Sequence, residues 1–112
     1  MKYPALFGVL CLFVSSPADA ESPNAAAILK ACATGPGAPT ESCKAYVNGV
    51  VAGVLVDQIA REQGKPICFP AHLTTDQAIV AVATFIAQHP TLWTTDGNST
   101  VGVALQTAYP CD

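Results

Sequence analysis

The stretch TTDQAIVAVATFIAQHP, residues 74–90, decides the fold because both ends of one helix can be read from it. Thr74 can cap the helix, and Gln77 three residues later can bond back to the backbone, which is the capping-box arrangement. Asp76 adds a negative charge to the first turn, where the helix dipole favours it. Pro90 marks the stop. Apolar residues recur at helical spacing between these signals, namely Ile79, Val82, Ala83 and Ile86, with Phe85 on the flank.

A longer helix is predicted upstream, from Glu41 or Ser42 to Gln63, and Gly64 is placed to end it. Its predicted core face consists of Tyr46, Val50, Val54 and Ile59, with Val47, Val51 and Leu55 beside them. The density of β-branched residues also leaves a strand open for Val47 to Val56.

Two glycines of this segment, Gly49 and Gly53, are four residues apart and therefore share one helix face. Such a face lets a neighbouring helix approach closely. Polar and charged residues in this segment argue against a membrane span. We therefore expect the glycine face to pack tightly inside the domain or across a dimer interface.

Two further helices complete an all-α fold, a compact up-and-down bundle of four helices stapled by two disulfides. The first helix is predicted from about Pro23 to Ala33 and the last from about Ser99 to Tyr109. A Gly/Pro-rich loop follows the first helix, and the polar loop Thr91 to Asn98 precedes the last. Asn98 also begins an N-glycosylation pattern, Asn98-Ser99-Thr100, but we interpret it as the cap of the last helix.

The N-terminus has the three parts of a secretory signal peptide. Lys2 supplies the positive start, Tyr3 to Val14 is apolar, and Ala18-Asp19-Ala20 provides a cleavage site. We therefore expect residues 1–20 to be a cleaved signal peptide and residues 21–112 to be one helical domain exported to the periplasm. An uncleaved N-terminal anchor is the alternative. After cleavage we expect no membrane association.

Export to an oxidising compartment predicts that the four remaining cysteines form disulfides. Three pairings are open from sequence alone. Cys32 ends the first helix and Cys43 begins the second, so both lie at one pole of an up-and-down bundle. Cys68 follows the second helix and Cys111 follows the fourth, which places them at the other pole. We therefore predict the pairs Cys32–Cys43 and Cys68–Cys111.

The chain offers little for catalysis, a metal or a cofactor. Zinc is the alternative use of Cys68, with His72 four residues on, but no two cysteines have the spacing of a zinc knuckle. His89 precedes a proline at a helix end, where a histidine typically serves the exposed carbonyls. The carboxylates lie on separate turns and form no evident catalytic pair. With a net charge of −3, the chain lacks the clustered positive charge that nucleic-acid binding requires. We expect no enzymatic activity, no metal and no cofactor.

Several short motifs together resemble one family of small periplasmic proteins. Cys43-Lys44-Ala45-Tyr46-Val47-Asn48-Gly49 resembles its C-x-x-Y-[IV]-x-G motif. Cys68-Phe69-Pro70 followed by Leu73-Thr74 resembles the element that opens its third helix. His89-Pro90 and the ending Tyr109-Pro110-Cys111 match in the same order. The chain is similar, over about Cys32 to Cys111, to the Tai/Rap-type immunity proteins of bacterial type VI secretion.

This resemblance implies an all-helical, often dimeric periplasmic protein. It also implies that the protein binds a peptidoglycan amidase effector and blocks its active-site cleft, as an enzyme inhibitor without turnover. No residue is carried over from the family as a toxin contact.

An aromatic side chain in a polar loop is a typical binding anchor, so we expect the partner to face Leu92, Trp93, Thr94, Thr95 and Asp96. The alternative is that Trp93 folds back on the core. Two other functions stay open: a small acid-stress chaperone of the Hde type, and a structural module with no dedicated ligand.

Overall fold

Four α-helices make up the fold in a computed structural model that describes residues 23–33, 35–61, 64 and 66–111. They are α1 (Ala25–Ala33), α2 (Glu41–Ala60), α3 (Thr75–Gln88) and α4 (Gly97–Ala108), with a 3₁₀ turn at Pro90–Leu92 before α4. No strand occurs among the described residues, so the predicted all-α bundle is confirmed. The predicted signal peptide, residues 1–20, lies outside the described residues. None of the described helices combines the length and apolar character needed to cross a membrane.

The third helix, α3, is the centre of the bundle and packs against α1, α2 and α4. Its predicted capping box is confirmed. The Gln77 amide donates to Thr74 Oγ1 at 3.1 Å, and the Thr74 amide donates to Gln77 Oε1 at 3.0 Å. Its inward face buries Ala78, Ile79, Val82 and Ile86. The strongest sequence signal therefore builds the element on which the others pack.

The core draws on every helix. Its fully buried large side chains are Val47 from α2, Val82 and Ile86 from α3, and Val101 and Leu105 from α4. Ile28 of α1 closes it. Fully burying one aliphatic side chain of this size contributes about 1.5–3 kcal/mol, so these six side chains contribute on the order of 10 kcal/mol, which is comparable with the net stability of a small domain.

The long helix α2 differs from its prediction at its end and in part of its face. It is helical throughout, which rules out the strand alternative, but it ends at Ala60 because Arg61 turns to an extended backbone. Val47 is buried as predicted, whereas Ile59 was wrongly assigned to the core and is 85% exposed. Gln58 is buried there instead, because its Oε1 accepts the Ile67 amide at 2.9 Å. At its C-terminal end, α2 is therefore rotated about its axis relative to the prediction, so that Gln58 faces the core in place of Ile59.

This rotation leaves a second apolar face of α2 on the surface, which we call the α2 seam. Its members recur at alternating intervals of four and three residues and are all exposed: Ala45, Gly49, Ala52, Val56 and Ile59. A side-chain carbon built on Gly49 or Gly53 would meet nothing within 4 Å. The close approach predicted at these glycines therefore does not occur inside the domain.

Both disulfides have the predicted pairing. Cys32–Cys43 joins the end of α1 to the start of α2, with Cα atoms 5.3 Å apart. Cys68–Cys111 ties the segment before α3 to the end of the chain, with Cα atoms 5.1 Å apart. Because the Cys68 sulfur is bonded to Cys111, Cys68 is not a free thiolate for the zinc site considered as the alternative.

Two helix starts differ from the predictions because of their caps. The first helix begins at Ala25, two residues later than predicted, and Asn24 Oδ1 accepts the Ala27 amide at 2.9 Å. The last begins at Gly97, two residues earlier, because the cap is Asp96, whose Oδ2 accepts the Ser99 amide at 3.0 Å. The prediction of Asn98 as the cap was therefore wrong.

Candidate functional site

The five residues predicted to face a partner lie in one compact turn between α3 and α4, which we call the Trp93 loop (Leu92–Asp96). Three backbone hydrogen bonds wind it tightly: the Leu92 amide to His89 O at 2.9 Å, the Trp93 amide to Pro90 O at 3.1 Å, and the Thr95 amide to Leu92 O at 3.0 Å. Leu92 is half-buried and the other four residues are exposed. The segment is thus an ordered turn at the surface.

Trp93 is bonded to the bundle at one edge of its ring and exposed over part of its surface. Its indole Nε1 donates to the carbonyl of Ile86, near the end of α3, at 2.7 Å. The residue is nevertheless 37% exposed. A buried or half-buried tryptophan usually finds such an acceptor. The indole is therefore tied to the bundle by its N–H edge while part of the ring faces solvent.

The side chains of Thr95 and Asp96 are occupied by the loop itself. Thr95 Oγ1 donates to Leu92 O at 2.5 Å and also bonds the Thr100 hydroxyl, at 2.7 Å. Asp96 Oδ2 accepts the amide and the hydroxyl of Ser99. Of the five predicted residues, these two therefore shape the turn. The Trp93 side chain makes one hydrogen bond, to Ile86, and the side chains of Leu92 and Thr94 make none to the described residues.

The start of the described chain holds the Trp93 loop from the other side. We call this segment, Pro23–Ala26, the strap. The Ala25 amide donates to Thr95 O at 3.0 Å, the Ala26 amide to Trp93 O at 2.9 Å, and the Gly97 amide to Pro23 O at 2.9 Å. This contact was not predicted, because a pairing made only by backbone atoms of distant segments leaves no side-chain pattern in the sequence.

A glycine is needed where the strap crosses the start of α4. Gly97 is buried, and a side-chain carbon built on it would collide with the Ile28 side chain and would lie 2.5 Å from the Pro23 carbonyl oxygen. A Cβ atom essentially never lies this close to an atom to which it is not bonded. The absence of a side chain at Gly97 therefore permits the close approach of the strap.

A tyrosine of α2 adds a polar contact to the start of α4. The Tyr46 hydroxyl donates to Asn98 Oδ1. Burial, and secondly the nearby Asp96 carboxylate, raises the pKa of the Tyr46 phenol above its ordinary value. Both causes disfavour the phenolate, so the folded protein holds the neutral phenol beside the Trp93 loop.

The raised pKa predicts a specific loss of stability at alkaline pH. Above about pH 10, the phenol in unfolded chains ionises before the folded one does, so the free energy of unfolding falls as pH rises toward the folded pKa. Tyr46→Phe should flatten this fall, and urea unfolding at a series of pH values from 8 to 11 measures it. If the free energy of unfolding falls with pH as steeply in the variant as in the native protein, the assignment to Tyr46 is contradicted.

The two histidines lie at the two ends of α3. His89 Nδ1 lies 2.7 Å from the Phe85 carbonyl oxygen, and the two rings stack with centroids 4.1 Å apart. His89 thus serves the end of α3, as predicted, and His72 is exposed in the turn before α3. Within the described ranges, no three His, Cys, Asp or Glu side chains are grouped so that they could hold a metal ion.

The fold and this loop together define a small four-helix protein, stapled by a disulfide at each end of the bundle and carrying an ordered aromatic turn on its surface. The family model described as Rap1a immunity proteins matches residues 17–111, and the chain belongs to this family. Membership implies an immunity protein that binds a partner effector protein. No curated protein and no solved structure matches the chain.

Proposed function

We propose that the chain is a periplasmic immunity protein of type VI secretion that binds a peptidoglycan amidase effector and occludes its active-site cleft. The protein acts by binding alone and has no turnover of its own. The observation that carries this proposal is the family match over residues 17–111. The resemblance of the cysteine, tyrosine and glycine motifs to the amidase immunity proteins supports the choice of an amidase as partner.

The Trp93 loop has the properties that insertion into a cleft requires. The indole projects from a turn whose backbone is fixed at both ends, and its N–H already has an acceptor in Ile86. A side chain held in one position loses little conformational entropy on binding. Tryptophan is also among the residues that most often dominate binding energy. The loop therefore offers a rigid aromatic anchor, with Leu92 and Thr94 beside it.

The periplasm is proposed as the location because the chain begins with signal-peptide features at residues 1–20 and forms two disulfides. Disulfides form and persist in oxidising compartments such as the bacterial periplasm. Residues 21–112 are then the mature protein, and its partner is met outside the cytoplasm.

The direct test is capture of the partner from native periplasm at neutral pH by the tagged mature protein. We expect a small peptidoglycan amidase at one-to-one stoichiometry that survives a high-salt wash, identified by mass spectrometry. The purified protein should then inhibit that amidase on isolated peptidoglycan in proportion to complex formed. Capture of an amidase without inhibition would contradict cleft occlusion, and capture of no hydrolase would contradict the proposed function.

The α2 seam supports a homodimer in which α2 packs against α2 of a second copy. Intervals of four and three residues are the spacing of a helix–helix seam. Its small residues would let two helix backbones approach closely, and Val56 and Ile59 are 67% and 85% exposed in the single chain. A twofold axis brings the same patch of both subunits together. One seam can thus cover the other.

We expect Val56→Asp to convert the dimer to a monomer, because it would bury one aspartate from each subunit in an apolar contact. Light scattering coupled to size-exclusion chromatography measures the mass. Val80→Asp is the matched control, because Val80 is 63% exposed on α3, outside the seam. The control should remain dimeric. A monomeric native protein, or dissociation by both variants, would contradict the seam as the dimer contact.

A further inference from the structure

We infer that the strap, Pro23–Ala26, is a positioning element that sets the conformation of the Trp93 loop for partner binding. This inference rests on the proposed function, since it takes the Trp93 loop as the binding site. The strap lies near the start of the domain sequence, far from the loop along the chain. We expect its hydrogen bonds to the loop to determine affinity, although the strap itself does not contact the partner.

The hydrogen bonds between strap and loop run in both directions. Two amides of the strap donate to loop carbonyls, and the Gly97 amide at the end of the loop donates back to Pro23. Asn24 and Asp96 form an isolated antiparallel bridge between them. Because donors and acceptors alternate across the contact, neither segment can leave without exposing polar groups of both.

The same contact completes the start of α1. The first amides of a helix have no partner within the helix. Here Ala25 and Ala26 donate to Thr95 O and Trp93 O, and Asn24 serves the next two amides, Ala27 through its side chain and Ile28 through its carbonyl. The loop therefore supplies two of the four acceptors for the first amides of α1. Fraying of α1 at its first two amides would therefore break the hydrogen bonds that join it to the loop.

Trp93 is fixed at two points as a result. Its carbonyl accepts the Ala26 amide, and its indole donates to Ile86 O. The first bond sets the backbone, and the second sets the ring. If only a fraction of molecules has both bonds, the apparent affinity falls by that fraction. The strap thus controls how much of the protein is ready to bind.

The test removes the close approach at Gly97 in the full mature chain. Gly97→Ala places a methyl group against the Pro23 carbonyl, so the strap must move away. We expect the amides of Ala25 and Ala26 to lose most of their protection against exchange with solvent, because the strap is displaced in most molecules. The fluorescence emission of Trp93, the only tryptophan, should shift at the same time.

Two further variants keep the test decisive. Gly102→Ala is the matched control, since Gly102 lies in the same helix with nothing within 4 Å of an added carbon. It should leave exchange at Ala25 and Ala26 unchanged. Asn24→Ala removes the side-chain acceptor of the Ala27 amide from an exposed position and disturbs no core residue. It carries the test if Gly97→Ala fails to fold.

Affinity is then measured with the amidase captured from periplasm as the probe. Loss of this protection together with about tenfold weaker binding, which corresponds to a ready fraction of about one tenth, supports the inference. Loss of protection in most molecules with unchanged affinity overturns it while leaving the proposed function intact. Unchanged exchange of the Ala25 and Ala26 amides in both Gly97→Ala and Asn24→Ala also overturns it. If no amidase is captured, the proposed function fails, and only amide exchange and Trp93 fluorescence then test the strap. A change in both supports control of the loop by the strap. Faster exchange without a shift in fluorescence overturns it.

Discussion

Replacing both members of the Cys68–Cys111 disulfide by alanine is expected to lower the free energy of unfolding by about 4 kcal/mol. The bond closes a loop across a sequence separation of 43. On the chain-entropy account, the stabilisation comes from restricting the unfolded chain and grows with loop length. For a domain of this size, such a loss lowers the melting temperature by about 15–30 °C. Urea unfolding at neutral pH, with calorimetry, measures both.

Native contacts at this pole should survive the substitution. The Cys68 amide donates to Tyr109 O at 2.9 Å, and the rings of Phe69 and Tyr109 lie 5.7 Å apart. We therefore expect the folded state to keep its helical circular dichroism while losing stability. The change in unfolding free energy should come with a larger surface exposed on unfolding, seen as a higher denaturant slope.

The other disulfide closes a shorter loop and lies in the core, so its removal can be compared with that of Cys68–Cys111. Cys32–Cys43 spans a separation of 11, for which the same account gives about 3 kcal/mol. Both of its cysteines are buried in the core, so alanine at these positions adds a packing loss that Cys68, being exposed, does not incur. A loss below about 1 kcal/mol for Cys68→Ala/Cys111→Ala would contradict the entropic account.

Local signals were enough to predict α3 and both disulfides. The capping box at Thr74 and the proline after His89 are short-range features that do not depend on the rest of the fold. The cysteine pairing followed from helix order, because short connections fix which ends of the helices meet. These parts of the sequence specify structure without competition from other segments.

The start of α4 could not be settled by local signals, because Asp96 and Asn98 are both good caps. The structure selects Asp96, which makes Gly97 the first helical residue and brings its amide to Pro23 O. Asn98 instead accepts a hydrogen bond from Tyr46 of α2. A contact with a distant segment therefore decided between two locally similar choices.

The face of α2 was misjudged at its C-terminal end for a related reason. This helix has apolar residues on two faces, and periodicity alone does not say which face meets the core. Gln58 turns inward because the Ile67 amide needs an acceptor, and Ile59 turns outward with it. The position of the candidate binding turn was predictable from its polar composition, whereas its strap was not.

The largest functional effect is expected from Trp93→Ala. Hot-spot aromatic residues typically cost about 2 kcal/mol or more when truncated, which is about a 30-fold or greater loss of affinity. The effect should appear mainly as faster dissociation of the amidase, because contacts made in the complex change the off-rate more than the on-rate. Surface plasmon resonance with the captured amidase immobilised measures both rates. The exposed neighbour Thr94 is the control, and Thr94→Ala should change affinity less than about fivefold.

A second substitution at the same position separates the two roles of the indole. Trp93→Phe keeps an aromatic ring for the partner but removes the donor to Ile86 O. If the ring surface drives binding, phenylalanine should recover most of the affinity that alanine loses. If placement of the ring by its hydrogen bond drives binding, phenylalanine should resemble alanine in affinity although its ring is present. Full affinity in Trp93→Ala, with the melting temperature unchanged, would place the binding surface elsewhere on the protein and would leave the ordered turn a purely structural cap for α1.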